Sequence, residues 1–191
     1  MHENLSGRTG GVFAGCRSDR AGQETPVCGV RFRGLYPFDN EIVASPAGER
    51  TDRLIYRANE SLIRRADIGI CNLTPFRGLS ADPGTVFEVG MLAGLGKPLL
   101  GYTNVVDDLL DRFRRQEALS FDAANDAWHD AHGMVVENFG NADNLMIDCA
   151  LVETGGHPMV RHKADPREVF RDLTGFEECL RRAGGRAAKP A

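Results

Sequence analysis

Two acidic residues six positions apart, Asp82 and Glu88, stand within TPFRGLSADPGTVFEVGMLAGLG, residues 74–96. One carboxylate can attack a glycosidic carbon while a second handles the proton of the leaving group, which suffices for substitution with retention. Glu88 has apolar neighbours in Val86, Phe87, Val89, Met91 and Leu92, and Gly90 and Gly94 leave room beside it. Desolvation of a charge in such a place is costly. A position in the first turn of a helix keeps the carboxylate ionised, as a nucleophile requires. Asp82, just before Pro83-Gly84, reads equally as the cap of that helix, a role Thr85 also suits.

The elements around this pair set where it sits. IGICNL (68–73) is an apolar run suited to a central parallel strand, and KPLLGYT (97–103) is a second. Residues 85–96 read as the helix between them. Residues 49–66 read as a helix before them, with Leu54, Ile55, Ala58, Leu62 and Ile63 at helical spacing. GLYPF (34–38) reads as a short strand, 105–117 as a helix, 118–143 as irregular and 144–152 as a helix. Asp165-Pro166 predicts a capped helix running to about Arg182. Strands alternating with helices predict an α/β domain, its parallel sheet covered on both faces. Ligands then lie beyond the carboxyl ends of the strands, which is where the loop after IGICNL falls.

The chain has 191 residues, enough for one full core, and a formal net charge of -4. That charge favours neither nucleic acid nor an anionic membrane, so a small molecule is the expected ligand. No run is apolar enough to span a membrane, and the start lacks a signal-peptide pattern. Five cysteines without CxxC spacing predict neither a disulfide framework nor a zinc site and suit a reducing cytoplasm. His129 and His132 have the spacing of a helical metal pair but no third ligand, and read as surface. The glycines of GMLAGLG read as close helix packing, and Arg112, Arg114 and Arg115 as a solvated helix face.

NLTPFRGLSADPGTVFEVGMLAGLGKPLLGYT resembles the core of the nucleoside 2-deoxyribosyltransferases, in the branch with PFRG…D-x-GT-x-FE-x-G. LYPFDNE (35–41) with IYRANESLIRRADIGI (55–70), and VENFGNADNLMI (136–147), agree with it. The resemblance covers residues 34–182 and implies a flavodoxin-like, doubly wound parallel sheet in a single domain. It implies a homo-oligomer with shared active sites that needs no cofactor. It further implies transfer of 2-deoxyribose between nucleobases through a covalent sugar–carboxylate intermediate, in nucleotide salvage. By this resemblance Glu88 is the nucleophile, Asp82 helps hold sugar and base, and Asn59 contacts the nucleobase. Asn144 reaches a sugar hydroxyl across a subunit interface, and Glu41 contacts the base. Each has a simpler reading: Asn59 as a polar helix residue, Asn144 as a helix cap, Glu41 as a solvated loop charge. A 2'-deoxynucleoside 5'-monophosphate N-hydrolase is the alternative enzyme, although Arg77 in PFRG and the Asp-Pro-Gly turn suit it less well. A catalytically decayed nucleoside-binding protein is the alternative outside catalysis.

Residues 1–33 depart from the family's first strand and its Y-x-A-G-P loop, whose tyrosine orients the nucleophile. Alone they read as disordered, with residues 183–191 as a flexible tail. Codons able to encode Asn4 to Arg31, read one nucleotide later, can spell IYLAGPEVFLPDAVRIGRARKRLCAAYG. That is the missing family segment, in register. Our hypothesis is that two compensating frameshifts scrambled the first strand and helix. Sequencing of the locus with no one-base discrepancy at either end sinks it.

Overall fold

The computed structural model describes residues 12–15, 24–27, 30–35 and 50–187. Glu41 lies outside the described residues, as do most of segment 1–33 and the last four residues of the expected tail.

Helix α1 (Thr51–Arg65) buries Leu62 and Ile63 and leaves its other face to solvent. Fully burying such a side chain is worth roughly 1.5–3 kcal/mol. The helix ends where Ala66 turns extended. Lys97 then satisfies two of its terminal carbonyls, donating from Nζ to Ala66 O at 2.7 Å and Arg64 O at 3.2 Å. This returns the chain directly into strand β4 (Ile68–Asn72). Helix α2 (Pro83–Gly94) follows, then strand β5 (Leu99–Thr103), whose five residues are all buried.

Strands β4 and β5 pair in parallel, Gly69 opposite Leu99 and Asn72 opposite Tyr102. Strand β9 (Val160–Arg161) adds in parallel at β5, a pairing the periodicity did not predict. The alternation of side chains sorts the core into two layers. Cys71, Leu73 and Leu99 point into one layer with Leu62, Ile63, Val89, Leu92 and Leu151. Ile70, Leu100 and Tyr102 point into the other, with Cys179, Leu180 and Ala183 of helix α5 (Thr174–Ala187). Helices therefore cover both faces of the parallel part of the sheet, as expected of an α/β domain.

On the far side of β4 the sheet is antiparallel. Strand β1 (Val12–Gly15) pairs with β4 and with β3 (Val30–Leu35), and β2 (Glu24–Val27) pairs with β3. The six-stranded order is β2-β3-β1-β4-β5-β9. Three strands thus arise within or across the edge of a segment that read as disordered.

Other differences have local causes. Helix α3 (Leu109–Gln116) starts four residues later than expected, where Asp108 caps it by accepting from Asp111 N at 2.8 Å. Residues 118–143 are not wholly irregular. They hold a three-stranded antiparallel sheet of β6 (Ser120–Asp122), β7 (Ala127–His129) and β8 (Val135–Val136). Trp128 anchors it, 5.0 Å from Phe121 and 4.4 Å under Arg114. Helix α4 (Leu145–Ala150) continues as a wider π turn, Leu151–Gly155. Asp165 caps no helix; it accepts from Arg167 N at 2.8 Å, and residues 166–171 form turns. Asp172 serves the terminal helix instead, accepting from Thr174 N at 2.8 Å, and that helix runs past Arg182 to Ala187. No helix among the described residues is long and apolar enough to cross a membrane.

Candidate active site

The site is built on the start of α2. Asp82 is the helix cap: its Oδ2 accepts from Thr85 N at 3.1 Å, and Pro83 occupies the first helical position. Gly84 gives the cap room, since a Cβ would stand a tight 3.0 Å from the capping oxygen. Because the helix begins at Pro83, Glu88 is its sixth residue and stands in the second turn, not the first. The helix dipole fades within the first turn, so it holds the Glu88 charge less strongly than expected.

Helix α2 is seated tightly on the sheet at Gly69. A Cβ there would come 2.6 Å from Leu92 Cδ1 and 2.9 Å from Leu99 Cδ2. This close approach brings Glu88 over β4, where its carboxylate acts on Cys71. Burial pushes the Cys71 thiol up, and the Glu88 charge pushes it further.

Glu88 and Asn59 line one small cleft of about 150 Å³ between α1 and α2, below the usual size of a small-molecule site. Tyr56, Glu60, Ile63, Gly84, Phe87 and Met91 complete its walls. Tyr56 and Phe87 are half-exposed at its mouth with ring centroids 6.4 Å apart. Flat aromatic faces beside a carboxylate and an amide suit a flat heterocycle joined to a polar ring. The sequence reading missed Tyr56, Phe87 and Glu60, although Tyr56 and Glu60 flank Asn59 within one turn of α1. Glu60 is engaged with Arg64 at 2.7 Å.

Asn144 does not line this cleft. It caps α4, accepting from Met146 N at 3.0 Å, while its Nδ2 donates to Glu137 Oε1 at 2.5 Å. Glu137 also accepts from Leu145 N at 2.8 Å. Glu137 is a further residue the sequence reading passed over. Met146 beside it is among the most exposed apolar side chains, at 72%.

The loop between β4 and α2 is held at both ends. Asn72 Oδ1 accepts from Thr74 N at 3.1 Å and Thr74 Oγ1 at 2.6 Å, and Asn104 N donates to Thr74 Oγ1 at 3.0 Å. The carboxyl ends of β4 and β5 are thereby tied. At the loop's tip Phe76 N donates to Ser80 O at 3.0 Å, with Arg77 at φ 56 and its guanidinium 4.8 Å over the Phe76 ring. Arg112 is not part of a solvated face, since it is buried and paired with Asp143. Arg114 and Arg115 are exposed as expected. Gly90 and Gly94 would meet nothing within 4 Å if given a Cβ, so they do not serve close packing among the described residues.

His129 ends strand β7 and His132 lies in the following turn, so they do not share a helix. Among the described residues no group of three or more His, Cys, Asp or Glu is placed to hold a metal ion.

The chain is similar to known proteins over most of its length. An uncharacterized protein of Schizosaccharomyces pombe is 31% identical over 151 residues, covering 73% of this chain and 71% of that one. A solved 2-desoxiribosyltransferase from Leishmania mexicana is 27% identical, covers 76% of this chain and 72% of its own, and superposes with a TM-score of 0.47. The family model for nucleoside 2-deoxyribosyltransferase matches residues 13–146, which include α1, β4, α2 and the whole Asn59–Glu88 cleft. On that match the chain belongs to the nucleoside 2-deoxyribosyltransferase family.

Proposed function

We propose that this protein exchanges nucleobases on 2'-deoxynucleosides, with Glu88 as the nucleophile. The observation that carries the reading is the shared cleft, in which a carboxylate, an amide and two aromatic rings face one volume. A Glu88 oxygen attacks C1' of the sugar, and the C1'–N bond breaks with its electron pair leaving on the base. The Asp82 side delivers a proton to that base, and Asn59 holds its edge. A nitrogen of the incoming base then attacks C1', the ester to Glu88 breaks, and the proton returns. No cofactor is needed for this sequence of steps.

Asn144, in this reading, contacts the sugar bound by a neighbouring copy, which accounts for its place outside its own chain's cleft. The exposed Met146 and Phe87 suit burial in such a homo-oligomer. The cellular setting we propose is nucleotide salvage in the cytoplasm, where free thiols such as Cys71, Cys149 and Cys179 persist.

The test is incubation of the purified chain with deoxyinosine and adenine without phosphate, followed by chromatography. Deoxyadenosine is the expected product. Hypoxanthine alone assigns the hydrolase chemistry instead, with water taking the second base's place. Absence of either product, with the same result after the IYLAGP reading frame is restored, assigns the decayed binding protein.

A further inference from the structure

The Asp143 carboxylate is 1% exposed and gathers donors from two loops. Its Oδ1 accepts from Ser80 Oγ and, at 2.8 Å, from Asn144 N. Its Oδ2 accepts from Ala81 N at 2.9 Å and stands 3.8 Å from Arg112 Nη2. Arg112 spends its own donors on carbonyls of the same two loops and of the turn before α3. It reaches Leu79 O at 2.8 Å, Ala142 O at 2.5 Å and Asp107 O at 2.8 Å. Asp148, one turn into α4, closes the far side by accepting from Asp143 N at 2.9 Å.

The residues thus held are the chain neighbours of the site. Ala81 directly precedes Asp82, and Asn144 directly follows Asp143. A buried ion pair is a poor stabilising device, because an apolar pair of equal volume serves the fold as well. An apolar pair cannot, however, hold two N–H donors and a hydroxyl in one register. We propose that Asp143 is a positioning residue that couples Asp82 to Asn144, setting each against the substrate of the site it serves. For its kinetic arm this rests on the deoxyribosyl-transfer reading. Since Asn144 there serves a neighbouring copy, the same carboxylate links two adjacent sites.

Two variants of the full chain test the coupling. Asp143→Asn removes the charge and one acceptor, and Ser80→Ala removes a single tie from the loop side. Hydrogen–deuterium exchange is expected to rise about tenfold in residues 78–86 and 143–149 together, with β4 and β5 unchanged. Faster exchange in only one of the two loops, or in neither, overturns the coupling. Base exchange, measured well below the melting temperature on protein shown to be folded, is expected to lose about ten- to a hundredfold in kcat. KM is expected to stay within about threefold, because groups displaced from the transition state act on kcat. A lowered melting temperature with unchanged kcat overturns the positioning role. If Asp143→Asn does not fold, Ser80→Ala decides through the same readouts, with a smaller kcat loss of about three- to tenfold. A wild-type chain without base exchange whose variants show the paired exchange pattern supports the coupling and defeats only the transfer reading.

Discussion

Asn59 and Glu88 face the same cleft from different helices, Asn59 on α1 and Glu88 on α2. The helices are fixed against each other through the sheet, so the amide and the carboxylate are held at a set separation. Replacing Glu88 with Ala is expected to lower base exchange by on the order of a thousandfold or more, as removal of a nucleophile does. Mass spectrometry of the quenched wild type is expected to find a deoxyribosyl adduct on the peptide containing Glu88. Unchanged exchange in the Ala variant sinks the nucleophile assignment.

Asn59→Ala tests the other wall. On the proposed role of Asn59 at the base edge, it removes hydrogen bonds worth roughly 1 kcal/mol, about a factor of five. The expected outcome is a rise in KM for both nucleoside and free base. An unaltered KM for every base tested assigns Asn59 to the helix surface.

Asn144 stands outside the cleft of its own chain. If it completes a neighbour's site, Glu88→Ala and Asn144→Ala chains, each inactive alone, regain activity when co-expressed. In mixed assemblies some sites combine an intact Glu88 with an intact Asn144. Co-purified mixtures as inactive as their parents contradict the shared site.

Arg112→Met leaves the Asp143 carboxylate buried without its cation. Breaking a buried pair from one side costs about 3–5 kcal/mol. For a chain of this size that corresponds to a melting temperature lower by roughly 6–20 °C. The double change Arg112→Met with Asp143→Leu is expected to regain much of this loss. A single variant that melts with the wild type contradicts the burial.

Asp172 ties acid behaviour to the start of α5. Hydrogen bonds from the Thr174 side chain and backbone, with His162 beside it at 3.0 Å, hold its carboxyl below the ordinary 3.8. A depressed carboxylate stabilises the fold above its unfolded pKa and loses that contribution as pH falls through the folded one. The melting difference between wild type and Asp172→Asn is therefore expected to be full near pH 6 and to shrink below about pH 3.8. A difference that stays constant across this range counts against the pairing.

Much of this architecture is legible in the residues themselves. The apolar runs at 68–73 and 97–103 announce the central strands, because burial on both faces leaves no place for polar side chains. Asp82 is legible as a candidate cap of α2, because capping is local chemistry, although the helix read from residue 85 begins at Pro83. What escapes is decided at a distance. Arg112 sits in an arginine-rich stretch indistinguishable from a solvated face, and its burial is set by carbonyls at residues 79 and 142. The strands of 118–143 are two or three residues long, too short to show alternation. The antiparallel strands before α1 depend on pairing with one another and with β4, and no periodicity in their residues foretells it.

The tie at Asp143 also limits how this scaffold can be re-engineered. Loop 74–82 looks like a module to be swapped between relatives to change specificity. Its Ser80 hydroxyl and Ala81 amide, however, are seated in a carboxylate sixty-odd residues away. A grafted loop that cannot present those two donors leaves that carboxylate under-satisfied in the interior. The transferable unit is therefore the loop together with residues 142–144 and Arg112, exchanged as one piece.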